Sequence, residues 1–168
     1  MSQLICVQTT GSELSAHIEY HDRWHPAATP DNSAAPILSL AAWQAAGSPA
    51  ATALQLQPDD DPEVLTGLLD SIPLICLQFE RFTDGRPYSQ ASILRRRLGY
   101  RGDLRACGDV LRDQLVLMEQ CGFSSFLIRA DKNASDALLG LQRFRYRCDV
   151  ITTSTPAPVI RSQPTSAE

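Results

Sequence analysis

Short apolar runs recur along the chain at close intervals, and most are bounded by proline, glycine or aspartate. Leu4-Ile-Cys-Val7 and Ala16-His-Ile-Glu-Tyr20 flank Thr10-Gly-Ser12, which predicts two short strands around a tight turn. The Pro/Ala/Asn stretch from Pro26 to Pro36 holds too many breakers for regular structure and reads as a linker. Ser39 is placed to cap a short helix carrying Leu40 and Trp43 and ended by Gly47.

From Ala53 the pattern becomes regular. Strands are expected at Leu54-Gln-Leu56, Pro73-Leu-Ile-Cys-Leu77, Leu104-Arg-Ala-Cys107 and Phe126-Leu-Ile128, with a last edge strand at Arg145 to Ile151. Between them, Asp61-Pro62 starts a helix striped by Val64, Leu65, Leu68 and Leu69. A second helix runs from Tyr88 to Leu98, with Arg95, Arg96 and Arg97 in its last turn and Gly99 closing it. Asp109 is placed to cap a third helix carrying Leu111, Leu115, Met118 and Cys121, and Ala134 to Leu141 forms a fourth.

This alternation predicts an α/β fold of consecutive βα units with a mostly parallel sheet, half-barrel-like or open, and a small N-terminal β-hairpin appended. A half-barrel would leave a concave apolar face that needs cover, from the N-terminal strands or from a second copy in a homodimer. Residues 1–36 then form hairpin and linker, 37–151 the α/β domain, and 152–168 a Ser/Thr/Pro-rich disordered tail.

Composition narrows the function classes. A net charge of −4 with a pI near 5.3 argues against a nucleic-acid binder. No apolar run approaches the roughly 20 residues that cross a bilayer, so no membrane partner is expected. The start Met1-Ser-Gln-Leu-Ile-Cys6 lacks a basic leader, which points to a cytoplasmic protein. Five cysteines at wide spacings, with no Cys-x-x-Cys, give metal or iron–sulfur ligation no local support and read as buried thiols. His17, His21 and His25 recur every fourth residue, but on strand and linker, so no metal is assigned to them. Gly-x-Gly-x-x-Gly, Walker and Gly-x-Ser-x-Gly patterns are all absent, and no cofactor is assigned.

Candidate chemistry sits where loops follow parallel strands, at one rim of the sheet. There Asp84, Arg86, Tyr88 and Ser89 follow the second βα strand, Asp109 and Arg112 the third, and Arg129 the fourth. Mixed guanidiniums and carboxylates on a rim can bind an oxyanion or move a proton. A structural role is open to each of them: Asp109 as a helix cap, Asp84 bonding within its own loop, Arg86 paired to either aspartate.

The run Phe82-Thr-Asp-Gly-Arg-Pro-Tyr-Ser-Gln-Ala91 resembles a known bacterial family. So do Leu94-Arg95, Leu98-Gly-Tyr100, Gly102-Asp-Leu-Arg-Ala106, Gly108-Asp-Val-Leu-Arg-Asp-Gln114 and Cys121-Gly-Phe123. Together they are similar to the domain-of-unknown-function family numbered nine hundred thirty-four, from about Ile37 to Phe144. That family carries the label of an oxidoreductase of sulfite reduction. The resemblance implies an accessory role in assimilatory sulfite reduction with sulfite reductase as partner, and the arginine-bearing rim suits a small oxyanion. It brings no catalytic residues with it. Two other readings stand beside it: a small barrel-like enzyme or anion-binding protein using the Asp/Arg rim, and a non-catalytic structural adaptor.

Overall fold

The computed structural model describes residues 3–10, 13–19, 24–26, 35–129 and 131–143. Among the described residues eight strands form one sheet: β1 (Gln3–Thr10), β2 (Glu13–Glu19), β3 (Trp24–Pro26), β4 (Ala35–Ser39), β5 (Ala53–Leu56), β6 (Leu74–Phe79), β7 (Asp103–Gly108) and β8 (Ser125–Ile128). Their order across the sheet is β2-β1-β8-β7-β6-β5-β4-β3. From β3 to β8 every pairing is parallel, while β1 runs antiparallel to both β8 and β2. The fold is thus a mostly parallel α/β sheet with an antiparallel N-terminal strand pair, as the alternation predicts.

Part of the expected linker is strand. Trp24–Pro26 and Ala35–Ser39 pair in parallel, and Pro36 is accommodated near the start of its strand. Ser39 Oγ caps the helix α1 (Leu40–Ala45) by accepting from Ala42 N. The helix expected after Asp61 is instead two 3₁₀ turns, Pro62–Leu65 and Leu69–Ser71. Gly67 lies between them with φ +80°, which breaks the stripe and leaves Val64 and Leu68 exposed. Asp61 caps the first turn, its Oδ1 2.9 Å from Glu63 N.

Helix α2 (Arg86–Ser92) widens into a π turn over Ile93–Arg97. That turn draws Arg95 inward rather than leaving it at the helix end. The Arg95 guanidinium donates to the carbonyls of Gly122, Tyr100 and Gly102 at 2.8–2.9 Å. Beyond β7, a 3₁₀ turn (Arg112–Gln114) leads into α3 (Leu115–Gln120), and α4 (Ala134–Arg143) follows β8. The expected strand at Arg145–Ile151 and the tail lie outside the described residues.

The strands bury both faces. Ile5, Leu54, Leu56, Ile75, Leu77, Phe79, Leu104, Ala106 and Phe126 pack under the helices in the main core. The alternate positions Ile37, Ala53, Leu74, Cys76 and Cys107 form a second buried cluster with Trp24 and Leu127, without a helix among them. Chain connectivity explains how a helix-free face becomes buried. Strands β2 and β3 stand at opposite edges of the sheet, yet only residues 20–23 separate Glu19 from Trp24. Seven strand spacings would put those edges roughly 34 Å apart in a flat sheet. Five chain steps reach at most about 19 Å. The sheet therefore curls strongly, with helices on its convex side and the second cluster inside the curve.

Candidate functional site

The loops after β5, β6, β7 and β8 carry the residues expected to form a ligand rim, and the structure pairs nearly all of them. Asp84 is gripped by Arg86: its Oδ1 accepts from Arg86 N and Nε at 3.0 Å each, and its Oδ2 accepts from Nη2 at 2.8 Å. Arg86 Nη1 also meets the Asp59 carboxylate. Asp109 does not cap a helix, because the turn after it begins only at Arg112. Its Oδ2 accepts from Phe82 N at 2.9 Å, which ties the second rim loop to the third. Its Oδ1 accepts from Arg129 Nη1 at 2.7 Å, and the same guanidinium grips Asp131 at 2.8 Å. Arg112 pairs with Asp136 at 2.6 Å.

Each pairing stabilises the charged form. Arg86 holds the Asp84 carboxyl below the usual carboxylate range, and Arg129 does the same for Asp109 and Asp131. The three arginines are about half exposed. Ser89 is exposed, while the Tyr88 ring packs edge-on to Phe79 at 5.2 Å. A depression of about 330 Å³ lies beside Arg112, lined by Leu111, Asp113, Ile128, Lys132 and Asp136. The rim is thus two chains of ion pairs, one centred on Arg86 and one on Arg129, with Arg112 in a third pair.

The concave face presents a different arrangement. Register places Gln55, Cys76, Arg105, Ser125, Cys6 and His17 directly opposite one another across six adjacent strands. Residues in register share a face, so these side chains form one polar row through the second cluster. Arg105 is at the row's centre and 4% exposed, and Ser125 is 1% exposed. Arg105 Nε donates to Ser125 Oγ at 3.3 Å. Ser125 Oγ and Ser124 Oγ donate to the Asp103 carboxylate at 2.9 and 2.5 Å. The Asp103 carboxylate lies 3.6 Å from Arg105 Nη2. On the other side of Arg105, Cys76 and Cys107 approach to 3.2 Å between sulfurs. Hydrogen bonding to Cys107 and burial push the Cys76 thiol well up, so Cys76 keeps its proton.

Sequence reasoning passed over this row. The signal was the period-2 alternation of Asp103, Arg105 and Cys107 with Leu104 and Ala106, which sets three polar side chains on one face of β7. Cys6, Ser125 and His17 carried no such signal, because only the antiparallel pairing of β1 with β8 and β2 brings them alongside. His17 and His25 fall at opposite ends of the sheet. Among the described residues, no three His, Cys, Asp or Glu side chains are grouped to hold a metal.

No curated protein and no solved structure matches the chain. Residues 53–158, well over half of the sequence, match the family described as bacterial protein of unknown function, DUF934. That span begins at β5 and takes in Asp103, Arg105 and both central thiols along with the whole ion-paired rim. The chain belongs to this family.

Proposed function

We propose that the protein is an accessory of assimilatory sulfite reduction, acting beside sulfite reductase by binding a small sulfur oxyanion on the concave face. The pathway is what the family resemblance implies, and the observation that carries the binding role is Arg105. A guanidinium presents donors in a fixed fork that suits oxyanions, and its charge acts more strongly where water is excluded. Arg105 is buried inside the curve of the sheet, with Ser125 on one side and a thiol on the other. Its Nε donates to Ser125 Oγ at 3.3 Å, and the Asp103 carboxylate lies 3.6 Å from its Nη2. The rim arginines are about half exposed, where water weakens the same attraction.

Titration calorimetry with sulfite on the purified full chain tests this. Wild type and Arg86→Gln should bind, and Arg105→Gln should lose at least tenfold in affinity. Loss in Arg86→Gln alone would move the site to the rim. No binding by wild type, with normal growth of a deletion strain on sulfate, would remove the reading. Capture of sulfite reductase by a protein that binds no oxyanion would favour the adaptor instead.

A further inference from the structure

Cys76 and Cys107 occupy neighbouring central strands, 2% and 6% exposed, with their sulfurs 3.2 Å apart. Cys76 lies opposite Arg105 and Cys107 opposite Gln78, so the two thiols lean together along a diagonal of the sheet. The Cys76 thiol donates to the Cys107 sulfur, and the Cys107 thiol in turn donates to the Leu77 carbonyl oxygen at 3.3 Å. A disulfide needs about 2.05 Å between sulfurs. Closure therefore asks for an approach of roughly 1 Å, which a diagonal pair obtains by a small slide of one strand along the other. At 2% and 6% exposure the pair offers no surface to a bulky thiol reagent, so an oxidant that reaches it must be small.

We propose that Cys76 and Cys107 are a two-electron redox pair that a peroxide closes to a disulfide, and that closure switches the surroundings of Arg105. The Cys107 sulfur attacks one peroxide oxygen, and the proton of its thiol passes to the oxygen that leaves. The O–O bond breaks, Cys107 becomes a sulfenic acid, and the other oxygen leaves as water after protonation. Cys76 then attacks the Cys107 sulfur, the S–S bond forms, and the sulfenic oxygen leaves as a second water. Two thiols and one peroxide give one disulfide and two waters; sulfur is oxidised and peroxide oxygen is reduced. The slide of β6 along β7 moves Arg105 relative to Ser125 and withdraws the thiol on its other side. This last consequence rests on the oxyanion reading, whereas the redox pair does not.

The full chain treated with hydrogen peroxide, then denatured, alkylated and peptide-mapped, gives the test. Cys76 and Cys107 should lose alkylation together, appear as one cross-linked peptide pair, and recover with dithiothreitol. Cys6, Cys121 and Cys148 should stay alkylatable, and Cys107→Ser should form no cross-link through Cys76. Sulfinic acid at a single cysteine, cross-links scattered among all five, or full alkylation after peroxide would each overturn the proposal. Where wild type binds sulfite, oxidation should weaken binding at least tenfold, and unchanged affinity would overturn the switch. Where wild type binds none, the oxyanion reading and the switch that rests on it fail, while the peptide map still decides the redox pair.

Discussion

The rim and the concave face carry the same residue types, arginine and aspartate, to opposite effect. On the rim, Arg86, Arg112 and Arg129 are exposed and each finds its carboxylate within a short loop or a neighbouring helix. Such pairs contribute little individually and weaken with salt. On the concave face Arg105 and Asp103 are two residues apart on one strand, sheltered by the curl of the sheet, and linked through Ser125. There water screens charge less, so an oxyanion brought beside the buried guanidinium is attracted more strongly than it would be at the rim. Position relative to the sheet, more than residue identity, separates a structural charge from a candidate binding charge.

The two regions meet at Gly108, and the largest expected effect is there. Gly108 ends β7 with φ +94°, and a Cβ at that position would strike the Phe79 carbonyl oxygen. The next residue, Asp109, donates its N–H to the same carbonyl at 2.9 Å and begins the rim. Gly108→Ala must therefore strain the backbone and part the ends of β6 and β7. Urea denaturation should show a loss of about 4 kcal/mol or failure to fold. A loss below about 1 kcal/mol would mean that the rim is not anchored through this contact.

Arg105→Leu comes next. It keeps the bulk of the side chain while stranding Asp103 and Ser125 without their cation, and should cost about 3 kcal/mol. Adding Asp103→Leu should restore part of that loss, since two apolar groups replace a charge left alone. An additive pair of losses would show that the two side chains do not interact. A smaller effect is expected at Tyr88. Its hydroxyl is buried, has no hydrogen-bond partner among the described residues, and is pushed up to about 12 by burial. Tyr88→Phe should be neutral or stabilise by up to about 1 kcal/mol. Marked destabilisation would assign the hydroxyl a partner, and with it a role for Tyr88.

The alternation of apolar runs with turn residues made the fold class legible because each βα unit is specified locally. Ser39, Asp61, Gly99 and Gly122 mark element ends by their own chemistry, and the structure places caps or positive φ at all four. What was not legible depended on distant pairing. Asp109 looks like a helix cap from its neighbours, but Arg129 and Phe82, 20 and 27 residues away, claim its oxygens first. Arg95 looks like a cation at a helix end, but a π turn and three carbonyls draw it inward. The concave row is the extreme case. Its members come from six strands, and their alignment is a property of register that no local window contains.

The smallest expected effect distinguishes the rim by its response to acid. Asp84, Asp109 and Asp131 titrate below their unfolded values because arginines bond the charged form. A depressed carboxyl contributes stability above its unfolded pKa of about 3.9, and that contribution is lost as pH falls through the lower folded value. Melting temperature should therefore hold from pH 7 to about 5 and fall below about 4, with a shallower fall in Arg129→Ala. Because these groups are exposed, 0.5 M salt should flatten the same decline in wild type. An acid limb that is steeper in Arg129→Ala, or one that Arg129→Ala leaves unchanged, would mean that the carboxylates sensed by acid are not those of the rim.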